Sequence, residues 1–430
     1  MSRRPASAGD APPVRVLERS EHPISRKNLS DPVLKVLYRL KKTDHVGYLC
    51  GGAVRDLMVG GAPKDFDVAT DADPEELRRL FRNARIIGRR FRLAHVIFHR
   101  EIVEVSTFRR TPDPEEQRGG PDDLLITSDN TFGTPREDAF RRDFTINALY
   151  YNIDDYSVID YVGGIDDLDD RLVRVIGDPD LRFCEDPVRM LRACEFAARL
   201  DFDIEEETQE AILRQRDELL KAAPPRLTEE LLQLLRCGSA EAAMEWMLDL
   251  GLLDVLLPEA LPMLEADDAR VEPFGRLLPL LDARSRSGKR KLSDPVLLGA
   301  LLLPEIMHRR LSYESRHRCD WMPIDAFRDA VDDVLEHWLE RFSLAHYKRS
   351  MLRHALEGFH RLCDQKVNAA QRQRIAAKSW FDDALVLFGL LVEATGSGRE
   401  AYERWQAAKR QKPRRRAAAA EPRRRRRRRR

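Results

Sequence analysis

The chain has 430 residues, of which 43% are hydrophobic and 34% are charged. This composition is typical of a globular protein with long charged helices, and it excludes a mostly disordered chain. No apolar run approaches the ~20 residues that a membrane-spanning helix needs, and no apolar leader segment follows the basic N-terminus. We therefore expect a cytoplasmic protein with no membrane partner.

Charge is distributed unevenly along the chain. The net charge is +1 overall, but residues 409–430 contain fourteen Lys and Arg and one Glu, so they sum to +13 and residues 1–408 to −12. An arginine-rich segment of this kind cannot bury an apolar core, and we predict a disordered tail that binds a polyanion. Nucleic acid is the favoured partner, and a solubilising or membrane-surface role is the alternative.

Hydrophobic periodicity divides the chain into a mixed α/β part up to about residue 180 and a helical part from there to about residue 408. Helices are predicted at Val33–Leu40 and at Pro74–Phe81, the second with Asp73 as its N-cap. A segment rich in Pro, Gly and Asp, at residues 110–130, predicts a mobile loop. The predicted strands are Tyr48–Cys50, Phe66–Ala69, His95–Phe98, Ile102–Phe108 and Ile146–Asn152.

Two glycines follow the first of these strands and begin a helical pattern. Gly51 and Gly52 would let backbone N–H groups approach a phosphate, and the helix N-terminus would add a favourable field. Arg55, in the same helix, could grip phosphate oxygens in a forked geometry. A tight turn without a ligand is the alternative interpretation.

A pair of aspartates predicts a metal site. Side chains alternate along a strand, so Asp65 and Asp67 would project together while Phe66 and Val68 turn into the core. Two adjacent carboxylates repel each other unless a cation lies between them, as in sites where two Mg²⁺ ions ~3.5–4 Å apart assist a displacement at phosphorus. Glu104, on a neighbouring predicted strand, could supply a third carboxylate. A surface Asp-x-Asp turn and a solvent-facing Glu are the alternatives.

Four motifs occur in a fixed order between residues 51 and 200, namely GGAVRD, KDFDVAT, RRDFTINALYY and EDPVRMLRACEFAARL. Together they resemble, over roughly residues 22–260, the bacterial branch of the nucleotidyltransferase superfamily that contains poly(A) polymerases and CCA-adding enzymes. The resemblance implies an α+β fold class with a DNA-polymerase-β-like nucleotidyltransferase head, built on a mixed sheet, and an all-helical neck and body. The expected domains are a disordered N-terminus (1–20), the catalytic head (21–180), a neck that binds nucleobase and RNA (181–240), a body that binds RNA (241–408) and the disordered tail (409–430).

The resemblance also implies roles for the residues of the first two motifs. Asp65 and Asp67 resemble the metal-binding catalytic pair, and Glu104 is a candidate third metal ligand. Gly52 and Arg55 resemble the triphosphate contacts of the family, and Gly51 belongs to the same turn.

The third and fourth motifs imply further nucleotide contacts. Arg142 and Asp143 match a motif associated with ribose and phosphate recognition, and Asp143 is often counted with the catalytic acids. Asp186 and Arg189 resemble the protein template that reads the incoming base, and Arg192 lies one turn further along and could face the same cleft. An exposed charged turn is the alternative at residues 141–143, and Asp186 is also a suitable helix N-cap before a proline.

The stretch IIGRRFRLAHV at residues 86–96 resembles the bacterial poly(A) polymerase signature, as do residues 22–26 and the arginine-rich tail. We expect an RNA-polyadenylating enzyme that adds AMP from ATP to RNA 3′ ends with two Mg²⁺ ions and releases pyrophosphate. A CCA-adding tRNA nucleotidyltransferase and a non-catalytic RNA-binding protein are the alternatives. Whether RNA-decay proteins are partners is left open by the sequence.

Overall fold

In a computed structural model of the chain, the described residues are 12–88, 92–99, 101–111, 131–258, 275–288, 291–364 and 366–410. Most of the predicted loop at 110–130, the Arg-Arg-Phe stretch at 89–91 and the tail from residue 411 lie outside them. The chain divides into two compact units. One comprises Met1–Leu261 with Arg341–Ser343, and the other comprises Pro262–Glu340 with Leu344–Arg430.

A mixed β-sheet organises the first unit. The strands are β1 (Arg15–Leu17), β2 (Gly47–Cys50), β3 (Asp67–Thr70), β4 (Ala84–Ile87), β5 (Leu93–Phe98), β6 (Glu101–Thr107), β7 (Leu149–Asn152), β8 (Val158–Asp160), β9 (Leu172–Val173) and β10 (Asp203–Ile204). The first eight form one sheet in the order β1-β8-β7-β2-β3-β6-β5-β4, and β9 pairs separately with β10. Within the large sheet β3 and β6 run parallel, and the other neighbours are antiparallel.

Helices lie between these strands along the chain and continue after the last of them. They are α1 (Asp31–Lys42), α2 (Gly52–Met58), α3 (Pro74–Leu80), α4 (Pro135–Arg141), α5 (Gly164–Asp169), α6 (Pro179–Glu185), α7 (Arg189–Leu200), α8 (Glu206–Gln215), α9 (Pro224–Arg236), α10 (Ala240–Asp249) and α11 (Leu252–Leu256), with 3₁₀ turns at Arg26–Asn28, Thr145–Asn147 and Arg216–Lys221. The predicted cap at Asp73 is confirmed, since its carboxylate accepts a 2.7 Å hydrogen bond from the Glu76 amide.

The described part of the second unit is helical. Its helices are α12 (Leu277–Arg286), α13 (Asp294–His317), α14 (Ile324–Leu339), α15 (His346–Cys363), α16 (Ala369–Ala376), α17 (Phe381–Thr395) and α18 (Arg399–Arg410). Close packing depends on Gly358 of α15, because a Cβ there would lie 2.3 Å from the ring of Trp380. Among the described residues no helix combines the length and the apolarity that crossing a bilayer requires.

The predicted helical region and strands are confirmed, with two corrections. The prediction of disorder for residues 1–20 is wrong for the described residues from 12 onward, because β1 pairs antiparallel with β8. The predicted strand Ile146–Asn152 begins only at Leu149, since Thr145–Asn147 form a 3₁₀ turn closed by a 3.0 Å bond from the Ala148 amide to the Thr145 carbonyl.

The two faces of the sheet have different roles. Helix α1 packs on one face, where a Cβ on Gly47 would lie only 2.8 Å from the side chain of Leu40. Side chains alternate along a strand, so Cys50, three residues further along β2, faces the opposite side. There it lines a cleft together with Asp67 and Glu104. Helix α1 and the cleft therefore lie on opposite faces of the sheet.

Candidate active site

A cleft of about 250 Å³ lies over the middle of the sheet. It is lined by Cys50, Asp67, Leu93, Glu104, Ser106, Arg109, Asp138, Arg141 and Arg142. Strand pairing places Asp67 of β3 between Cys50 of β2 and Glu104 of β6. The cleft thus has carboxylates on its floor and arginines along one wall.

The structure brings Asp67 and Glu104 together as direct neighbours on parallel strands. Asp65 precedes β3, which begins at Asp67, so the prediction that both aspartates belong to one strand is wrong. Burial, followed by the negative charges of Glu104 and Asp65, raises the pKa of Asp67 to about 6, against the opposing effect of Arg142. The carboxylates therefore repel one another in the absence of a cation.

This arrangement fits a hard divalent cation. Within the described ranges, no group of three or more His, Cys, Asp or Glu side chains is arranged to hold an ion by itself. Mg²⁺, however, is usually bound by one or two carboxylates together with water and substrate phosphates. Asp67 and Glu104 meet that requirement, and the raised pKa of Asp67 shows that a positive charge beside it would be stabilising.

The raised pKa gives a testable titration. In metal-free protein the Asp67 carboxyl should titrate with a midpoint near pH 6, so that it is ionised at pH 7.5 and protonated at pH 5. Glu104→Gln should lower the midpoint more than Asp65→Asn, because the charge of Glu104 has the larger effect. A ¹³C NMR titration of the Asp67 carboxyl carbon measures both shifts. A midpoint near 4 in the unmodified protein would show that burial and the charges of Glu104 and Asp65 do not raise the pKa of Asp67.

A buried acid fixes the position of Arg142 in the cleft wall. Asp138 Oδ2 accepts hydrogen bonds from Arg142 Nε at 3.1 Å, from Arg142 Nη2 at 3.0 Å and from the Tyr150 hydroxyl at 2.8 Å. Its Oδ1 accepts from the Arg109 amide at 3.1 Å. Asp138 and Tyr150 were not among the site residues predicted from the sequence. The available signal was the four-residue spacing between Asp138 and Arg142 at the end of a helix.

The glycine turn brings two guanidinium groups close to the backbone. Gly51 has a φ of +71°, and a Cβ on it would lie 3.2 Å from Arg142 Nη1; a Cβ on Gly52 would lie 3.2 Å from Arg55 Nη2. Arg55 is buried, and its guanidinium donates to Asp56 Oδ1 and to Asn147 Oδ1. The absence of side chains at both glycines therefore makes room for Arg142 and Arg55.

Asp143 lies outside the residues that line the cleft with Asp67. Its Oδ2 accepts from Arg192 Nη2 at 2.6 Å and from Arg192 Nε at 2.9 Å, and its Oδ1 accepts from Asn147 Nδ2 at 3.1 Å. Burial alone would raise its pKa, but the charge and hydrogen bonds of Arg192, with those of Asn147 and the Phe144 amide, lower the pKa to about 2. Asp143 therefore ties Arg192 of α7 to the edge of the cleft.

The residues expected to read the base have protein partners in this structure. Asp186 is not the N-cap of α7, which begins at Arg189 after Val188, so that prediction is wrong. A long-range partner takes its carboxylate instead, because Arg226 of α9 donates to both oxygens at 2.6 and 3.0 Å. Arg189 is buried and donates to the carbonyls of Arg182 and Arg141 at 3.2 and 3.4 Å.

Paired carboxylates on a mixed sheet, facing an arginine-rich wall, fit the class of nucleotidyltransferases, and the comparisons show that the chain belongs to it. The family described as "Poly A polymerase head domain" matches residues 47–174, and the family described as "Probable RNA and SrmB- binding site of polymerase A" matches residues 201–264. Poly(A) polymerase I of Salmonella typhimurium is 43% identical over 353 residues, which is 78% of this chain and 74% of that protein. The chain belongs to the bacterial poly(A) polymerases of the tRNA nucleotidyltransferase/poly(A) polymerase family.

More distant similarity extends to the other branch of the family. The CCA-adding enzyme of Bacillus velezensis is 33% identical over 300 residues, which is 66% of this chain and 74% of that protein. The crystal structure of the Bacillus stearothermophilus CCA-adding enzyme in complex with CTP superposes with a TM-score of 0.62 at 22% identity, covering 88% of this chain and 82% of that one. The expected fold is thereby confirmed.

Proposed function

We propose that this protein is a polynucleotide adenylyltransferase that adds AMP from ATP to RNA 3′ ends. The main support is the cleft in which Asp67 and Glu104 face Arg142, in a chain 43% identical to a poly(A) polymerase I. A CCA-adding activity is the second candidate, supported by the 33% identity to a CCA-adding enzyme. The weaker similarity makes it the less favoured of the two.

In the proposed reaction the RNA 3′-oxygen forms a bond to the α-phosphorus of ATP, and the bond from that phosphorus to the α,β-bridging oxygen breaks. Pyrophosphate leaves, and the proton of the 3′-hydroxyl passes to water. Asp65, Asp67 and Glu104 supply the negative charge that would bind the cations needed for this reaction. Two Mg²⁺ ions bound by these carboxylates and the triphosphate would supply Lewis-acid stabilisation of the attacking and leaving oxygens.

The arginine wall would act on the substrate phosphates. Arg142 is held by Asp138 and lines the cleft with Asp67, so its charge is fixed beside the reacting groups. We assign triphosphate contacts to Gly51, Gly52 and Arg55, because the turn at Gly51 lets a substrate approach the backbone closely.

Base selection is assigned to Asp186, which precedes α7, and to Arg189 and Arg192 in the first turn of α7. In the structure Arg192 is fixed by Asp143, while Asp186 and Arg189 bond to other protein groups. Base binding would therefore require these two side chains to exchange their present partners for the edge of adenine. We accordingly place Asp143 in a positioning role toward Arg192 and keep Asp65 and Asp67 as the catalytic acids.

The proposed organisation of the chain follows from this assignment. The head at residues 21–180 would perform catalysis, the neck at 181–240 would bind nucleobase and RNA, and the body at 241–408 would bind RNA. The tail at 409–430, described structurally only to residue 410, would add electrostatic affinity for RNA. A cytoplasmic location would suit these substrates.

Incubation of the purified protein with labelled RNA and one nucleotide at a time tests the activity. Long heterogeneous products with ATP, with little incorporation of CTP, are expected of a polyadenylating enzyme. Addition of CTP followed by arrest after a fixed number of nucleotides would instead establish the CCA-adding alternative. Binding of RNA without incorporation of any nucleotide would establish a non-catalytic protein.

A further inference from the structure

A basic surface lies along α1, on the sheet face opposite the cleft. Residues 26–42 contain six Lys and Arg and one Asp, although residues 1–408 are acidic overall. The α1 basic face consists of the exposed side chains of Arg26, Lys27, Lys35, Tyr38, Arg39 and Lys42. Such a concentration of cations on an acidic protein attracts a polyanion.

Three of these cations form a row on one side of the helix. Lys35, Arg39 and Lys42 are spaced by about 6 Å and about 4.5 Å along the helix axis, given a rise of about 1.5 Å per residue. Among the described residues none of the three makes an ion pair, whereas Lys41 Nζ lies 2.9 Å from Asp154 Oδ1. The opposite side of α1 is fully buried. Packing therefore fixes the helix that carries the row, and the described residues do not neutralise the charge of the row.

An aromatic side chain lies within the row. Tyr38 is 38% exposed, and its hydroxyl accepts a 3.2 Å hydrogen bond from Arg26 Nη1. The guanidinium of Arg26 is in turn 5.0 Å from the ring centre of Tyr156. A shallow depression of about 510 Å³ lies beside Tyr38, lined also by Asp31, Leu34, Lys35, Arg39 and Lys42. Cations interleaved with an aromatic ring are the usual means of holding an unpaired nucleotide strand.

We propose that the α1 basic face binds single-stranded RNA upstream of the 3′ end. The proposal rests on the proposed function, which supplies RNA as the substrate of the cleft. Phosphates would contact the row of cations, and a base would stack on Tyr38. A membrane surface fits less well, because Tyr38 and the half-buried Leu34 are too few apolar groups to insert into lipid.

The position of α1 makes this binding depend on RNA length. The sheet lies between α1 and the carboxylates, since Gly47 faces Leu40 while Cys50 faces the cleft. A strand whose 3′ end is in the cleft reaches α1 only after passing around an edge of the sheet. A primer of a few nucleotides occupies the cleft alone. Only longer RNA gains affinity from the α1 basic face.

The test compares two charge-reversed variants of the full chain. Lys35→Glu/Arg39→Glu removes part of the row, and Arg78→Glu/Arg82→Glu makes the same charge change at the same spacing elsewhere on the first unit. All four side chains are exposed. Affinity is measured at three salt concentrations for RNA of about 5 and about 40 nucleotides. Such surfaces typically bind on the order of 4–16 nucleotides, so the short RNA can fill the cleft alone and the long RNA can reach both sites.

Lys35→Glu/Arg39→Glu should weaken binding of the long RNA about tenfold and lower the salt slope by about 1.4, or about 0.7 for each phosphate that is no longer neutralised. Tyr38→Ala should weaken it by about fivefold or more because a base can no longer stack there, with little change in salt slope. Neither variant should change extension of the short primer, and Arg78→Glu/Arg82→Glu should behave as the unmodified protein.

Equal losses of affinity in the two charge-reversed variants would overturn the proposal, because bulk charge would then explain the effect. Unchanged long-RNA affinity in Lys35→Glu/Arg39→Glu would also overturn it. If that variant instead lost binding to anionic vesicles, the α1 basic face would be a membrane-binding surface and the proposal would again be overturned. Failure of the unmodified protein to extend the short primer with ATP would refute the proposed function instead. The two failures are therefore distinguishable.

Discussion

Replacement of Asp67 by Asn is expected to reduce adenylate incorporation at least a thousandfold. Asp67 lies on the floor of the cleft beside Glu104, and burial and the neighbouring acids raise the pKa of its carboxyl. Loss of metal-mediated charge stabilisation of about 4 kcal/mol corresponds to about a thousandfold in rate. Single-turnover incorporation of labelled ATP into a short RNA measures the effect.

The melting temperature distinguishes a loss of catalysis from a loss of folding in this variant. Because its neighbours disfavour the ionised form of Asp67, removal of the charge should leave the melting temperature at pH 7.5 unchanged or slightly higher. Asp65→Asn should be similarly stable and also inactive. Asp154→Asn serves as the control and should keep full activity, since the one ion pair of Asp154 within the described residues is the exposed pair with Lys41. Substantial turnover by a folded Asp67→Asn protein would refute the assignment.

The sequence predicted that Glu104 lies on a strand next to the aspartates, and this is confirmed, but it did not predict the direction or the register of the pairing. The alternation of side chains predicted that Asp67 points away from the core, and Glu104 was predicted on a β-rich run. In the structure, parallel pairing of β3 with β6 makes the two residues direct neighbours. The error over Asp65 has a local cause. Strand β2 ends at Cys50, because Gly51 turns the chain with a φ of +71°, and the pairing with β3 therefore stops at Asp67.

Long-range polar contacts were beyond prediction for a different reason. The residues around Asp186 favour an N-cap locally, but its carboxylate bonds to Arg226, forty residues away. Likewise Asn147, in a stretch predicted to be a strand, joins Arg55 to Asp143 through its side-chain amide. Periodicity indicates which side of an element is buried, and it contains no information about which buried polar groups meet.

The buried network around Asp138 should therefore be the part of the head most sensitive to mutation. The Asp138 side chain is only 5% exposed and lies 3.0 Å from Arg142 Nη2. Asp138→Asn keeps the volume but removes the charge, and it places an amide donor or a neutral oxygen against a guanidinium. Breaking one partner of a buried ion pair typically costs about 3–5 kcal/mol. We expect the melting temperature of the first unit to fall by about 10 °C.

Activity should fall as well, because Arg142 would no longer be held beside Asp67. The matched control is again Asp154→Asn, whose ion pair with Lys41 is about half exposed on both sides and should contribute less than about 1 kcal/mol. Replacement of Tyr150 by Phe removes one of the hydrogen bonds to Asp138 while sparing the charge, and should cost about 1–2 kcal/mol. Calorimetric unfolding of the three variants ranks these effects. Equal melting temperatures for Asp138→Asn and Asp154→Asn would show that Asp138 does not stabilise the arginine wall.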